Sequence, residues 1–164
     1  MPFVRAGALG ALCVLSGASA VAWDDLPGMP PLLDPHNVYA AAAPGKLADA
    51  VKAFPARVYV PNSKSDTVDV IDPATFKIIG HFALPKRSKH LLEPQHVVPS
   101  WDLKKLWVAQ DLGDQLTMID PATGKMGESI HVDDPYNMYF TPDGKYAIVM
   151  AEREKRIDFR DAQA

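Results

Sequence analysis

The sequence predicts an all-β fold, a partial β-propeller of about two and a half four-stranded antiparallel blades from a seven- or eight-bladed ring. Three observations lead there. Residues 58–75, VYVPNSKSDTVDVIDPAT, return as LWVAQDLGDQLTMIDPAT at 106–123, an offset of 48. A weaker third copy, IVMAEREKRIDFRDAQ at 148–163, sets Asp161 against Asp120 at an offset of 41. The connecting piece PQHVVPSWDLKK (94–105) likewise sits over PYNMYFTPDGKY (135–146), again at 41. Short apolar runs and turn residues that recur about every 40–50 residues mark a radial array of small sheets.

The first 22 residues differ in kind from the rest. Arg5 is the only charge before Asp24, and Ala6 to Gly17 form a short apolar run. Ala18-Ser19-Ala20 and Ala20-Val21-Ala22 both place small residues where signal peptidase needs them, so residues 1–22 are expected to be an export signal peptide. The run is too short to span a bilayer, and no membrane span is expected after cleavage. Cys13 is the single cysteine and lies inside this segment, preceded by Leu12 rather than by a lipobox residue. The exported chain would then hold no disulfide, no thiolate metal site and no CxxCH haem attachment.

Residues 23–56 are rich in Pro and Ala and lack strand periodicity, with room for one or two helical turns between Gly45 and Phe54. They are expected to form an irregular lead-in that covers the first blade or its edge. From Arg57 the pattern becomes β, with strands expected at 57–61, 67–71, 76–84, 95–99, 105–109, 115–119, 126–132, 136–141, 146–151 and 156–159. Thr141-Pro142-Asp143-Gly144 has the proline and glycine placement of a tight turn. Asp120-Pro121-Ala122-Thr123 and Asp72-Pro73 suit Asx-turns, so Asp72, Asp120 and Asp143 read as turn formers rather than catalysts. Only 95–132 supplies four strands; three precede it and three follow. A closed propeller needs at least about four blades, and an open set leaves a bare apolar face and a free edge. Residues 57–164 are therefore expected to be an incomplete propeller domain, the N-terminal part of a longer ring truncated at its C-terminus and poorly stable alone.

Composition narrows the function classes. Of 164 residues, 48% are hydrophobic and 23% charged, with a net charge of -3, which is enough apolar content for a packed core. Acidic and basic residues are interspersed, and no basic stripe points to nucleic acid. No serine stands in a G-x-S-x-G elbow, and the ten glycines are dispersed at turns rather than gathered in a phosphate loop.

The combination VYVPN…DTVDVID (58–72), LWVAQD…LTMIDPATGK (106–125) and DPYNMYFTPDGKYAIVMAE (134–152) resembles the YVTN-type β-propeller repeat proteins. These are exported bacterial and archaeal proteins, distantly similar to the haem-binding propeller of cytochrome-type nitrite reductases. The resemblance covers roughly residues 57–161. It implies a seven- or eight-bladed ring in full-length members, often without an assigned reaction. Two departures stand out: the insertion Lys86-Arg87-Ser88-Lys89-His90, and Ile157-Asp158-Phe159-Arg160-Asp161 in place of the usual V-x-V-I-D.

Propeller ligands sit in the axial channel, lined by the innermost strand of each blade. Here that places Gln95 and His96 at one repeat position and Tyr136 and Asn137 at the equivalent one. Polar residues recurring there would converge on the axis; the plainer alternative is that they satisfy backbone amides where a strand begins. His131 with Asp133 and Asp134 forms the candidate metal group, since His131 and Asp133 alternate on one strand face. No histidine pair has HxxxH or HExxH spacing. The nitrite-reductase resemblance would favour His96 as an axial haem ligand. Tyr59, Trp107, Tyr136, Tyr139 and Phe140 read as packing between blades, and Arg153 to Arg156 as a solvated hairpin tip.

The leading expectation is an exported scaffold or binding module without evident catalytic residues, secreted, periplasmic or held at the cell envelope. Its partner would be a protein, an envelope component or a small ligand at one rim. One alternative is a haem or other cofactor-binding redox propeller related to nitrite reductase or haem maturation. The other is a metal-dependent lactonase-like or quinoprotein enzyme using Glu93, Asp133 and Asp134.

Overall fold

The computed structural model describes residues 32–86 and 89–163. The expected export signal and residues 23–31 lie outside the described residues. The rest of the lead-in is mostly exposed and holds two short 3-10 turns, Ala40–Ala42 and Asp49–Val51. No helix among the described residues is long and apolar enough to cross a membrane.

Ten strands follow, each within two residues of its expected place at either end. They are β1 (Val58–Asn62), β2 (Thr67–Asp72), β3 (Lys77–Ala83), β4 (Pro94–Pro99) and β5 (Leu106–Gln110). β6 (Gln115–Ile119), β7 (Met126–His131), β8 (Pro135–Phe140), β9 (Tyr146–Ala151) and β10 (Arg156–Asp161) complete the set. Consecutive strands pair antiparallel into three sheets, β1-β2-β3, β4-β5-β6-β7 and β8-β9-β10. The first strands of the sheets lie beside one another, β1 against β4 and β4 against β8. The sheets therefore fan from a shared line, as propeller blades do.

Period-two alternation explains why the middle sheet can be apolar on both faces. Val108 and Ile119 pack against Val68, Leu84 and Leu92, closing the junction between the first and second sheets. Trp107, Ala109 and Leu116 point the other way and meet Met138, Ala147 and Val149 of the third sheet. β5 is thus buried from Trp107 to Gln110. On the third sheet Tyr146, Met150, Ile157 and Phe159 are exposed, with Tyr146 and Phe159 in edge-to-face contact at 6.2 Å. At the offset of 41, Met150, Ile157 and Phe159 match Ala109, Leu116 and Met118, which pack into the core of the second junction.

The turns repeat as closely as the strands. Asp72 accepts the Ala74 N–H at 2.8 Å, and Asp120 accepts the Ala122 N–H at 2.8 Å. Ser100 donates to Asp102 at 2.7 Å, and Thr141 donates to Asp143 at 2.6 Å in the matching loop. Between sheets, Asp66 is buried and its Oδ1 accepts the amides of Leu92 and Glu93 at 2.8 and 3.0 Å. Asp114, its repeat equivalent, accepts the Asp134 amide at 2.9 Å. Each carboxylate thus ties a hairpin tip of one sheet to the first strand of the next.

One repeated position is strained in one copy only. Gly124 has φ 74°, and Phe76 occupies the same place at φ 56° while 85% exposed. The left-handed conformation costs a non-glycine residue about 1–2 kcal/mol, and so exposed a ring recovers little by burial. Replacing Phe76 by glycine is expected to raise the unfolding free energy by about 1 kcal/mol in a denaturant titration, after the added chain entropy of glycine is subtracted.

Candidate functional site

Two matching irregularities open the first strands of the second and third sheets. Glu93 and Asp134 both adopt left-handed backbone, at φ 51° and 49°. Each is followed by a proline and then a β-bulge: the register shifts between Pro94 and His96, and again between Pro135 and Asn137. Gln95 and Tyr136 are the inserted residues. A bulge re-aims side chains at the end of a strand, and here it does so at the same position of neighbouring first strands.

All four predicted axial residues are half-buried. The structure brings His96 against β8: its Nδ1 accepts the Met138 N–H at 3.3 Å, and its ring lies 5.6 Å from that of Tyr139. Burial holds the imidazole below its ordinary pKa, so it is neutral at pH 7. With Nδ1 accepting, the proton sits on Nε2, which leaves an N–H donor rather than a lone pair directed away from the backbone.

The candidate metal residues divide. His131 Nε2 lies 3.0 Å from Asp133, while its Nδ1 donates to the Asp114 carbonyl oxygen at 2.8 Å. Asp134 is buried and turned elsewhere, accepting from Arg153 Nε and the Glu154 amide, each at 2.9 Å. Among the described residues no group of three or more His, Cys, Asp or Glu is placed to hold a metal ion.

Arg153, expected at a solvated hairpin tip, instead joins the second and third sheets. Its Nε contacts Asp111 at 3.2 Å and Asp134 at 2.9 Å, and its other donors reach Asp114 and the Asp111 carbonyl oxygen. Burial and then the adjoining Asp134 carboxylate push Asp111 up to about 6, against the pull of Arg153. Burial also raises Asp134, but the bonds from Asp111, Glu154 and Arg153 outweigh it and hold this carboxyl below the usual range. Asp114 carries a trace in the sequence, because it matches Asp66 across the repeat. Asp111 and Arg153 carry none.

The sign of the pH effect follows. Asp111 titrates higher folded than unfolded, so its contribution is complete below the unfolded value of 3.8 and is lost as pH rises through about 6. His96, depressed by burial, acts oppositely near its unfolded value of 6.5. Comparison with Asp111→Asn separates the two: wild type is expected to lose melting temperature relative to the variant between pH 5 and pH 7. Parallel thermal melts that leave this difference constant would contradict the assignment.

The sequence matches the YNCE-like beta-propeller family over residues 19–163. Among solved structures, Kuenenia stuttgartiensis hydrazine synthase aligns with 66% of this chain at 23% identity and a TM-score of 0.53. A candidate 6-phosphogluconolactonase of Bacteroides fragilis aligns with 63% at 20% identity and a TM-score of 0.51. Dihydro-haem d1 dehydrogenase NirN aligns with 68% at 20% identity and a TM-score of 0.48. The aligned part spans only 30%, 31% and 23% of those three chains. No functionally curated protein matches the sequence. The repeats, the fanned sheets and a match across most of the sequence agree that the chain belongs to the YNCE-like beta-propeller family.

Proposed function

We propose that the chain is part of an exported propeller that acts as a scaffold or binding module, with its ligand received at the axial end of the first strands. The carrying observation is the pair of matching bulges that present Gln95-His96 and Tyr136-Asn137 from β4 and β8. His96 partly fills the plainer role, because its Nδ1 serves a backbone amide. Its remaining N–H suits an uncharged acceptor on a ligand.

Neither cofactor reading draws equal support. Iron ligation by Nε2 needs the tautomer that the Met138 amide opposes, so His96 does not fit an axial haem ligand. Asp134, required by the metal-dependent reading, is neutralised by Arg153 and turned away from His131 and Asp133. Export rests on the N-terminal sequence, and mass spectrometry of the secreted form should find it beginning at Val21 or Trp23.

The binding role has a direct test. A ligand found by thermal-shift screening of envelope saccharides and short peptides should bind the His96→Ala/Asn137→Ala double variant at least about tenfold more weakly, equivalent to about 1.4 kcal/mol. Unchanged affinity in the double variant would dismiss the axial site.

A further inference from the structure

The junction between the second and third sheets is hollow where the junction before it is filled. At the offset of 41, Leu106 and Ile119 correspond to Ala147 and Arg160. Ile119 is 0% exposed and, with Leu106 beside it, fills the first junction. The exchange removes most of the leucine side chain at one position and puts a long cation at the other. What remains is a cavity of about 550 Å³ lined by Trp107, Leu116, Met138, Phe140, Val149 and Arg160, among others. That volume lies within the range of about 300–1,000 Å³ usual for small-molecule sites. Positions 147 and 160 thus leave this junction less filled by side chains than the first.

The lip of the cavity carries one cation, Arg160, and one carboxylate, Asp161. Arg153 and Arg156 are each held by carboxylates, whereas Arg160 has no ion pair among the described residues. Asp161, at the same lip, accepts the Gln163 amide at 2.9 Å within its own turn, and His131 faces Asp133. An unpaired guanidinium above an apolar chamber selects a planar anion carried on an apolar body, because its fork of donors matches a carboxylate.

We propose that this cavity binds a medium-chain fatty acid, the hydrocarbon between the two sheets and the carboxylate on Arg160. The site is separate from the axial quartet and independent of the proposed function there. Affinity should rise by roughly fourfold per added methylene from hexanoate to decanoate, the free energy of burying each CH₂ expressed as a ratio.

Isothermal titration with sodium decanoate and with decanol tests the proposal on the wild-type chain, Ala147→Leu and Arg160→Ile. Both variants install residue types that the same fold already holds at 106 and 119, and circular dichroism verifies that each is folded. Expected are one decanoate per wild-type chain, loss of both ligands in Ala147→Leu, and at least tenfold weaker decanoate with unchanged decanol in Arg160→Ile. Absence of decanoate binding to wild type would overturn the proposal. So would undiminished binding in Ala147→Leu, which would place the ligand on the exposed face of the third sheet, and so would an Arg160→Ile variant that binds decanoate as tightly as wild type.

Discussion

The buried carboxylate of Asp66, bonded to the amides of Leu92 and Glu93, is the constraint on which the sheet-to-sheet geometry depends. Antiparallel pairing fixes strands within a sheet, but it says nothing about how one sheet sits against the next. Apolar packing alone tolerates sliding, since one aliphatic face resembles another. A carboxylate accepting two amides does not, because any displacement leaves buried donors unpaired. Burial would push Asp66 up, yet the Lys86 ammonium and the two amides outweigh it and keep the group ionised. Asp66 and Asp114 stand at φ 55° and 47°, a conformation that aspartate tolerates better than most side chains.

The third copy shows what happens when this device is altered. Lys155 occupies the place of Asp66 and Asp114 with the same left-handed backbone, at φ 54°. Lysine cannot accept an amide, so this side chain at the tip of the third sheet cannot repeat the bond that Asp66 and Asp114 make. The same tip instead reaches backward: Arg153 gathers Asp111, Asp114 and Asp134 from the second sheet and the link that follows it. The second junction therefore carries both ties, the forward one from Asp114 and the backward one from Arg153. Burial, and then the adjoining Asp134 carboxylate, let Asp111 hold its proton to about pH 6 beside that guanidinium.

Strand placement was legible because the sequence states it more than once. Val60 over Val108 and Ile71-Asp72-Pro73 over Ile119-Asp120-Pro121 fix phase as well as location, and the Asp-Pro and Ser/Thr-x-Asp turns fix the ends. The recurrence of Gln95-His96 at Tyr136-Asn137 was equally visible, but the bulges that aim those residues were not. A bulge depends on pairing with β5 and β9, which periodicity in one strand does not encode. Arg153 escaped for a related reason. A run of four charged residues at a hairpin tip looks solvated until the neighbouring sheet supplies Asp111 and Asp134. Single-sequence patterns describe the contents of each sheet, and the junctions belong to pairs of sheets.

Amide hydrogen exchange on Asp66→Gly isolates the part played by this carboxylate, since glycine removes it while accepting the backbone conformation at φ 55°. If the carboxylate fixes the first junction, the Leu92 and Glu93 amides lose at least about tenfold in protection, the kinetic equivalent of one buried hydrogen bond, while the β1–β2 ladder keeps its own. Native protection at both amides in this variant would show that apolar packing alone sets the angle between the sheets.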